Sequence, residues 1–171
     1  MTRRGWRNLV MGSAIATAAA VGWIGSHVIA NGVEKPRVDF ADMASRTYAP
    51  QKVVYHLLES GGSGEKKYFD VLGSARNQIR AVGEGRVDLR FVLQGDGVEM
   101  LQDATRNADL AATIDQLRAK GVRFLVCRNT LMSRNIDPMK EMHGVTADDI
   151  VPAGVAEVTA LQMQGFAYLR L

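Results

Sequence analysis

The fold class follows from residues 53–82, in which Val53-Val-Tyr-His-Leu-Leu58 precedes Gly61-Gly-Ser-Gly64 and then the segment EKKYFDVLGSARNQIRAV, residues 65–82. The first run is uncharged and rich in β-branched and aromatic residues, which is typical of a buried strand. In residues 65–82 the apolar side chains recur at steps of three and four, which predicts an amphipathic helix that Gly83 and Gly85 end. A strand, a glycine-rich turn and a helix in this order begin a βα unit.

The same order continues toward the carboxyl terminus. The predicted strands are 53–58, 87–93, 122–127, 150–151 and 166–169, and the predicted helices are 65–82, a helix around 110–117, helix starts at Asn129 and Asp137, and a helix from Gly154 to Gly165. Strands that alternate with helices at this spacing predict an α/β fold, because parallel strands need crossover connections. We therefore expect a mainly parallel sheet of about five strands with helices on both faces.

Composition and charge restrict the function classes. The chain has 171 residues, of which 47% are hydrophobic and 23% charged, as expected for one globular domain rather than a disordered polymer. Of its 21 basic residues, Arg3, Arg4 and Arg7 are the only charged side chains before residue 31, so the remaining 18 balance the 18 acidic ones. This neutral body argues against nucleic acid as a partner, because binding to phosphates needs a surplus of Lys and Arg.

The first thirty residues are typical of an export signal. Three arginines precede an Ala-rich uncharged stretch, and Val28-Ile-Ala30 suits a signal peptidase, so residues 1–30 are predicted to be a signal peptide or an uncleaved membrane anchor. The pair Arg3-Arg4 leaves open the twin-arginine and the general secretory routes. Residues 31–50 are predicted to be a linker or arm and residues 51–171 the α/β domain. The domain is then exported, periplasmic if the host has two membranes, or anchored at its N-terminus and facing the periplasm.

The candidate site lies where the predicted strands end, because ligands of open parallel sheets bind at the carboxyl ends of the strands. The candidate residues at this edge are Cys127 as the reacting group and Arg128, Asn129, His56, Gln94, Gly95 and Gly154 as binding residues. Cys127, the only cysteine in the chain, ends a strand just before a predicted helix start and beside a cation. Both neighbours favour the nucleophilic thiolate. The alternative interpretation is a core cysteine that packs as a small hydrophobic residue.

The other candidates are weaker. His56 lies inside the first strand, where a histidine is more often a hydrogen-bonded core residue than a functional one. His143 follows two methionines, but one distant cysteine gives poor support for a metal site, and none is predicted. Gly61-Gly-Ser-Gly64 lacks the ending of a phosphate-binding loop and the spacing of a dinucleotide fingerprint.

The order of segments resembles the DsrE/DsrF-like family. The segments that carry the resemblance are Val53–Leu57, Val92–Val98, Gly121–Leu131, Val151–Glu157 and Gln164–Tyr168. The most specific are Cys127-Arg-Asn-Thr-Leu131 and Val151-Pro-Ala-Gly-Val155. The resemblance implies a three-layer α/β/α sandwich, homo-oligomers that are commonly trimeric or hexameric, and sulfur trafficking through a cysteine persulfide without a metal or organic cofactor. Carried over, it makes Cys127 the sulfur carrier, with Asn129 orienting the turn and Arg128 supplying positive charge.

Three functions remain open from the sequence. The first is an exported sulfur carrier, similar to a sulfurtransferase, whose partners are a sulfur donor and an acceptor, either thiol proteins or small sulfur compounds. The second is a non-catalytic oligomeric module of the same fold that binds a small molecule or serves as a scaffold. The third is a thiol-dependent redox enzyme, which would need an outside reductant because the chain has no second cysteine.

Overall fold

The computed structural model describes residues 46–62 and 65–171. The predicted signal or anchor at 1–30 and most of the predicted arm lie outside the described residues, and residues 46–50 form exposed chain without regular secondary structure. None of the helices in the described part of the chain combines the length and the apolar character that a membrane crossing requires.

The described residues contain one sheet of five strands, in the order β4-β3-β2-β1-β5, and every neighbouring pair is parallel. The strands are β1 (Gln51–Leu57), β2 (Val87–Leu93), β3 (Arg123–Cys127), β4 (Ile150–Val151) and β5 (Ala167–Arg170). The first four strands are added in one direction, and the last connection returns across the sheet to the free edge of β1. The prediction of a parallel five-stranded sheet is confirmed.

Six α-helices lie within the described residues. They are α1 (Lys66–Val82), α2 (Glu99–Asp103), α3 (Ala108–Ala119), α4 (Arg128–Arg134), α5 (Pro138–Glu141) and α6 (Gly154–Met163), and two 3-10 turns cover Gly95–Val98 and Ala147–Asp149. The sequence did not predict α2, a single short helix whose burial of Met100 and Leu101 becomes evident only in the folded chain. Helix α4 begins one residue earlier than predicted, because Cys127 itself takes the N-cap position.

The sheet separates two hydrophobic cores, which makes the fold a three-layer α/β/α sandwich. In β1, Val53, Tyr55 and Leu57 pack in the larger core with residues of α1 and α3. The smaller core, on the opposite face, comprises Val54, Val92, Leu125, Val151, Val158, Leu161 and Phe166. Since strand side chains alternate between faces, the central strands present Val54, Val92 and Leu125 to Val158 and Leu161 of α6.

Candidate functional site around Cys127

Strand alternation places three of the predicted site residues on the α6 face at the carboxyl end of the sheet. The central strands β1, β2 and β3 each give one residue to the core beneath α6. The residues two positions further along these strands are His56, Gln94 and Cys127. The register pairs Leu93 with Val126, so Gln94 lies level with Cys127. The sheet therefore brings together side chains that are far apart in the sequence.

Cys127 is buried, with 3% of its surface exposed, but it borders a cavity of about 330 Å³. The cavity is lined by Gln94, Cys127, Asn129, Thr130, Ser133, Ala153, Gly154 and Val155. These residues are uncharged and most of them carry a polar group on the side chain or at a helix start. The thiol is thus recessed beside a polar opening rather than sealed among aliphatic side chains.

The thiol is surrounded by hydrogen-bond donors. Burial raises the pKa of Cys127, but backbone N–H groups of Gly154, Thr130 and Asn129 and the hydroxyl of Thr130 outweigh it and hold the pKa below its usual value. Gly154 begins α6, and Asn129 and Thr130 lie in the first turn of α4, where backbone N–H groups have no partner within the helix. Two helix starts therefore converge on one sulfur atom and favour its thiolate.

Thr130 is a functional residue that the sequence analysis missed. Its side chain is buried, and its Oγ1 accepts a hydrogen bond from the backbone N–H of Gly95 at 3.1 Å. The hydroxyl proton is then free to donate to the sulfur of Cys127. The sequence contains a signal for this role, because a threonine three residues after the cysteine at a helix start lies on the same side of the first turn.

His56, Gln94 and Cys127 form a row across the α6 face of β1, β2 and β3, in which Gln94 lies between the other two. It is 6% exposed, and its Nδ1 is 3.2 Å from the hydroxyl oxygen of Tyr168 on β5. Burial lowers the pKa of His56, a contact with the Gln94 side chain raises it, and Arg170 lowers it, so the net shift favours the neutral imidazole. The Nε2 of His56 and the Oε1 of Gln94 are both buried without a hydrogen bond of standard geometry among the described residues.

Gly154 allows Gln94 to pack against the start of α6. A Cβ atom at position 154 would lie 2.5 Å from Oε1 of Gln94 and 3.3 Å from its Cβ. Any larger residue would have to displace the amide. The glycine therefore supplies both an N–H to the thiol and the space for the neighbouring side chain.

Arg128 faces a different cavity from the thiol. Its side chain is exposed and lines a second space of about 540 Å³ together with residues of α4 and α5, including Leu131 and Pro138. It is absent from the groups that shift the pKa of Cys127. The structure thus places Gln94, Asn129 and Gly154 around the same cavity as Cys127. Two further predicted residues lie one contact away, since Gly95 binds Thr130 and His56 contacts Gln94. Arg128 lies outside this group.

No cluster of three or more His, Cys, Asp or Glu residues capable of holding a metal ion occurs within residues 46–62 and 65–171. The Nε2 of His143, the other histidine weighed in the sequence, lies 2.9 Å from a carboxylate oxygen of Asp115.

A model of the DsrE/DsrF-like family matches residues 52–171, which include the Cys127 cavity and all five strands except the first residue of β1. The chain belongs to this family. The confirmed resemblance covers the whole described sheet, and membership in the family indicates a role in sulfur relay in general.

Two solved structures show how the family fold relates to this chain. MTH1491, a protein of unknown function from Methanobacterium thermoautotrophicum, is 28% identical, with a TM-score of 0.59, and the match covers 71% of this chain and 99% of that one. The ychN protein from E. coli is 18% identical, with a TM-score of 0.53, over 71% of this chain and 100% of that one, a likeness that shows the fold alone. No curated protein matches the chain at a significant level.

Proposed function

We propose that this protein is an exported sulfur carrier that holds sulfane sulfur as a persulfide on Cys127. The observation that carries the proposal is the convergence of three backbone N–H groups and one hydroxyl on a thiol that opens to a polar cavity. The same donors that favour the thiolate would stabilise the negative charge on the outer sulfur of a persulfide. Family membership supports the general assignment to sulfur relay.

The chemistry needs only the thiolate and a donor. The Cys127 thiolate attacks the sulfane sulfur of the donor, so that a bond forms between Sγ and that sulfur. The donor's own S–S bond breaks, and its electron pair leaves on the donor as a thiolate or as sulfite. An acceptor thiolate then attacks the outer sulfur of the Cys127 persulfide, and Cys127 leaves as the thiolate again. The cycle moves one sulfur atom, with no net oxidation of the carrier.

The size of the cavity bears on the partners. A space of about 330 Å³ admits a small sulfur compound or the thiol-bearing tip of a partner loop, but not a folded element. The donor and acceptor are therefore small sulfur compounds or proteins that present an exposed thiol.

Export and assembly are part of the same proposal. The arginines and the apolar stretch of residues 1–30 support delivery across a membrane, by a cleaved signal or by an N-terminal anchor. Four exposed apolar side chains, Met132, Met139, Val155 and Met163, support self-association into a trimer or hexamer. Cell fractionation with mass measurement of the mature chain tests the first point, and sedimentation equilibrium tests the second. A full-length chain in the cytoplasm, or a monomer at high concentration, would contradict them.

The central test is transfer of sulfur to the single thiol. The purified protein is incubated with thiosulfate or with a polysulfide and analysed by intact-mass and peptide mass spectrometry. We expect the mass of one sulfur atom on Cys127, its loss on addition of an acceptor thiol, and no gain in Cys127→Ser. If the wild-type thiol stays unmodified, the carrier proposal is rejected, and the non-catalytic module becomes the favoured function. Peroxide turnover with added thiol, without sulfur transfer, would favour a redox enzyme instead.

A further inference from the structure

Tyr168, His56 and Gln94 form a polar chain that leads from β5 to the Cys127 cavity. The phenol hydroxyl of Tyr168 lies 3.2 Å from Nδ1 of His56. A hydroxyl has one proton to donate, so a neutral His56 that accepts it at Nδ1 must carry its own proton on Nε2. In the tautomer that carries its proton on Nε2, His56 accepts a hydrogen bond from Tyr168 at Nδ1 and directs a donor away from β5.

The acceptor for that donor is the Gln94 side chain. His56 contacts Gln94, and the Nε2 of His56 and the Oε1 of Gln94 are the two buried atoms on this face that lack a partner of standard geometry in the described chain. Buried polar groups pair where they can, and a small rotation of the amide pairs these two and satisfies both. His56 has only 6% of its surface exposed, so bulk solvent is a poor alternative partner for its ring nitrogens.

When Oε1 of Gln94 accepts a hydrogen bond from His56, the NH₂ group of the same amide points away from His56. Gln94 lines the cavity beside Cys127, its side chain is only partly buried, and its buried atom without a partner in the described chain is Oε1 and not Nε2. Gly154 gives the Gln94 amide room to rotate, since a Cβ there would lie 2.5 Å from Oε1. The geometry therefore presents two N–H donors of Gln94 to whatever occupies the cavity.

We infer that Gln94 selects anionic sulfur groups in the Cys127 cavity by donating hydrogen bonds to them, and that His56 and Tyr168 are positioning residues that orient its amide. This inference rests on the proposed function and adds the ligand class to it: a small sulfane anion such as thiosulfate, or the terminal sulfur of a persulfide. The uncharged lining makes donors rather than cations the source of selectivity, and neutral ligands of the same size gain less from Gln94, because hydrogen bonds to a charged acceptor are about twice as strong.

The experiment compares two alkylating probes on the full chain, which are similar in size but differ in charge. Iodoacetate is anionic and iodoacetamide is neutral, and Cys127 is the only cysteine that either can modify. The measured quantity is the ratio of the two rate constants, for wild type, Gln94→Met, Gln94→Glu, His56→Phe and Tyr168→Phe. Gly73→Ala is the control, because Gly73 lies on α1, which packs on the opposite face of the sheet, and a Cβ there would come no closer than 4.0 Å to any other group.

We expect Gln94→Met to lower the ratio of the iodoacetate rate to the iodoacetamide rate by about tenfold, the effect of one lost hydrogen bond to a charged group. Gln94→Glu, which keeps the size and replaces the NH₂ by an oxygen, should lower it further. His56→Phe should lower it several-fold with Gln94 intact, Tyr168→Phe should lower it less, and Gly73→Ala should leave it unchanged. General loosening of the fold would move the ratio toward that of the denatured chain, so the stability of each variant is measured by urea unfolding alongside the rates.

An unchanged ratio in both Gln94 variants would overturn the inference. A ratio that falls in the Gln94 variants but not in His56→Phe would overturn the positioning role of His56. Sulfur loading from thiosulfate is measured on the same proteins, so that a failure of the inference about Gln94 can be distinguished from a failure of the proposed function. A wild type that alkylates selectively but takes no sulfur rejects the carrier function, whereas a wild type that loads sulfur without anion preference rejects the role of Gln94.

Discussion

Thr130 receives the backbone N–H of Gly95 on its hydroxyl oxygen at 3.1 Å, and this contact ties the turn after β2 to the first turn of α4. One hydroxyl therefore has two functions. As an acceptor it satisfies a buried backbone donor, and as a donor it stabilises the thiolate of Cys127. The stability of the strand-end turns and the reactivity of the thiol are coupled through this one oxygen.

Thr130→Val removes both functions of the hydroxyl while it keeps the shape of the side chain. Valine has nearly the same size but no hydroxyl, so the pKa of Cys127 should rise, and the unpaired N–H of Gly95 should cost about 1–3 kcal/mol of unfolding free energy. The pKa is measured from the ultraviolet absorbance of the thiolate against pH, and the stability from urea unfolding. Thr130→Ser keeps the hydroxyl and should stay close to wild type in both. A thiol pKa in Thr130→Val equal to that of wild type would contradict this account.

The reactivity of Cys127 should depend on pH with a midpoint below that of an ordinary cysteine. Only the thiolate reacts, so the rate of iodoacetamide modification should rise with pH and level off above the pKa of Cys127, which the N–H donors lower. The denatured chain loses these donors and should show the usual midpoint.

The same shift has a consequence for stability. A group whose pKa is lower in the folded state stabilises that state at pH values above the unfolded pKa, and the contribution is lost as the pH falls through the folded pKa. Wild type should therefore gain stability relative to Cys127→Ser as the pH rises into the alkaline range, as measured by urea unfolding at several pH values. A difference between the two proteins that is constant with pH would show that the thiol is not stabilised as an anion.

Arg128→Gln should leave the pKa of Cys127 unchanged. The Arg128 side chain is exposed and lines the second cavity, so its charge is screened by water from the recessed sulfur. The thiolate titration used for Thr130→Val measures this directly, and the two variants serve as each other's controls. A raised pKa in Arg128→Gln would instead support the role that sequence adjacency suggests.

The sequence predicted the fold because the strand-like runs and the helical spacing of three and four residues between apolar side chains are both clear. The alternation that places Gln94 and Cys127 on one face, and the helix start at Gly154, follow from strand ends that are visible in the sequence. The partner of Thr130 was not predictable, because it depends on how closely the turn at Gly95 approaches α4. The orientation of the Arg128 side chain was not predictable either, because Cys127 ends a strand in extended backbone and Arg128 begins the helix, so adjacency in the sequence does not determine whether the two side chains face the same cavity.

The position of Gln94 depends on a close approach between two backbones, which Gly97→Ala should break. A Cβ at position 97 would lie 2.2 Å from the carbonyl oxygen of Leu57. That oxygen cannot easily move, because it accepts the backbone N–H of Gln94 at 3.1 Å at the end of the β1–β2 pair. We expect Gly97→Ala to lower the unfolding free energy by about 3 kcal/mol, at the upper end of the usual cost of overpacking.

The matched control is Gly73→Ala in α1, where the nearest atom to a new Cβ is the flexible end of Arg76 at 4.0 Å. This substitution should stabilise the protein by about 0.5–1 kcal/mol, because alanine loses less backbone freedom than glycine on entering a helix. Urea unfolding of both variants measures the pair. Equal stability of Gly97→Ala and wild type would mean that the β1 and β2 ends can separate without penalty. The row of side chains leading to Cys127 would then lack the rigid support that anion selection by Gln94 requires.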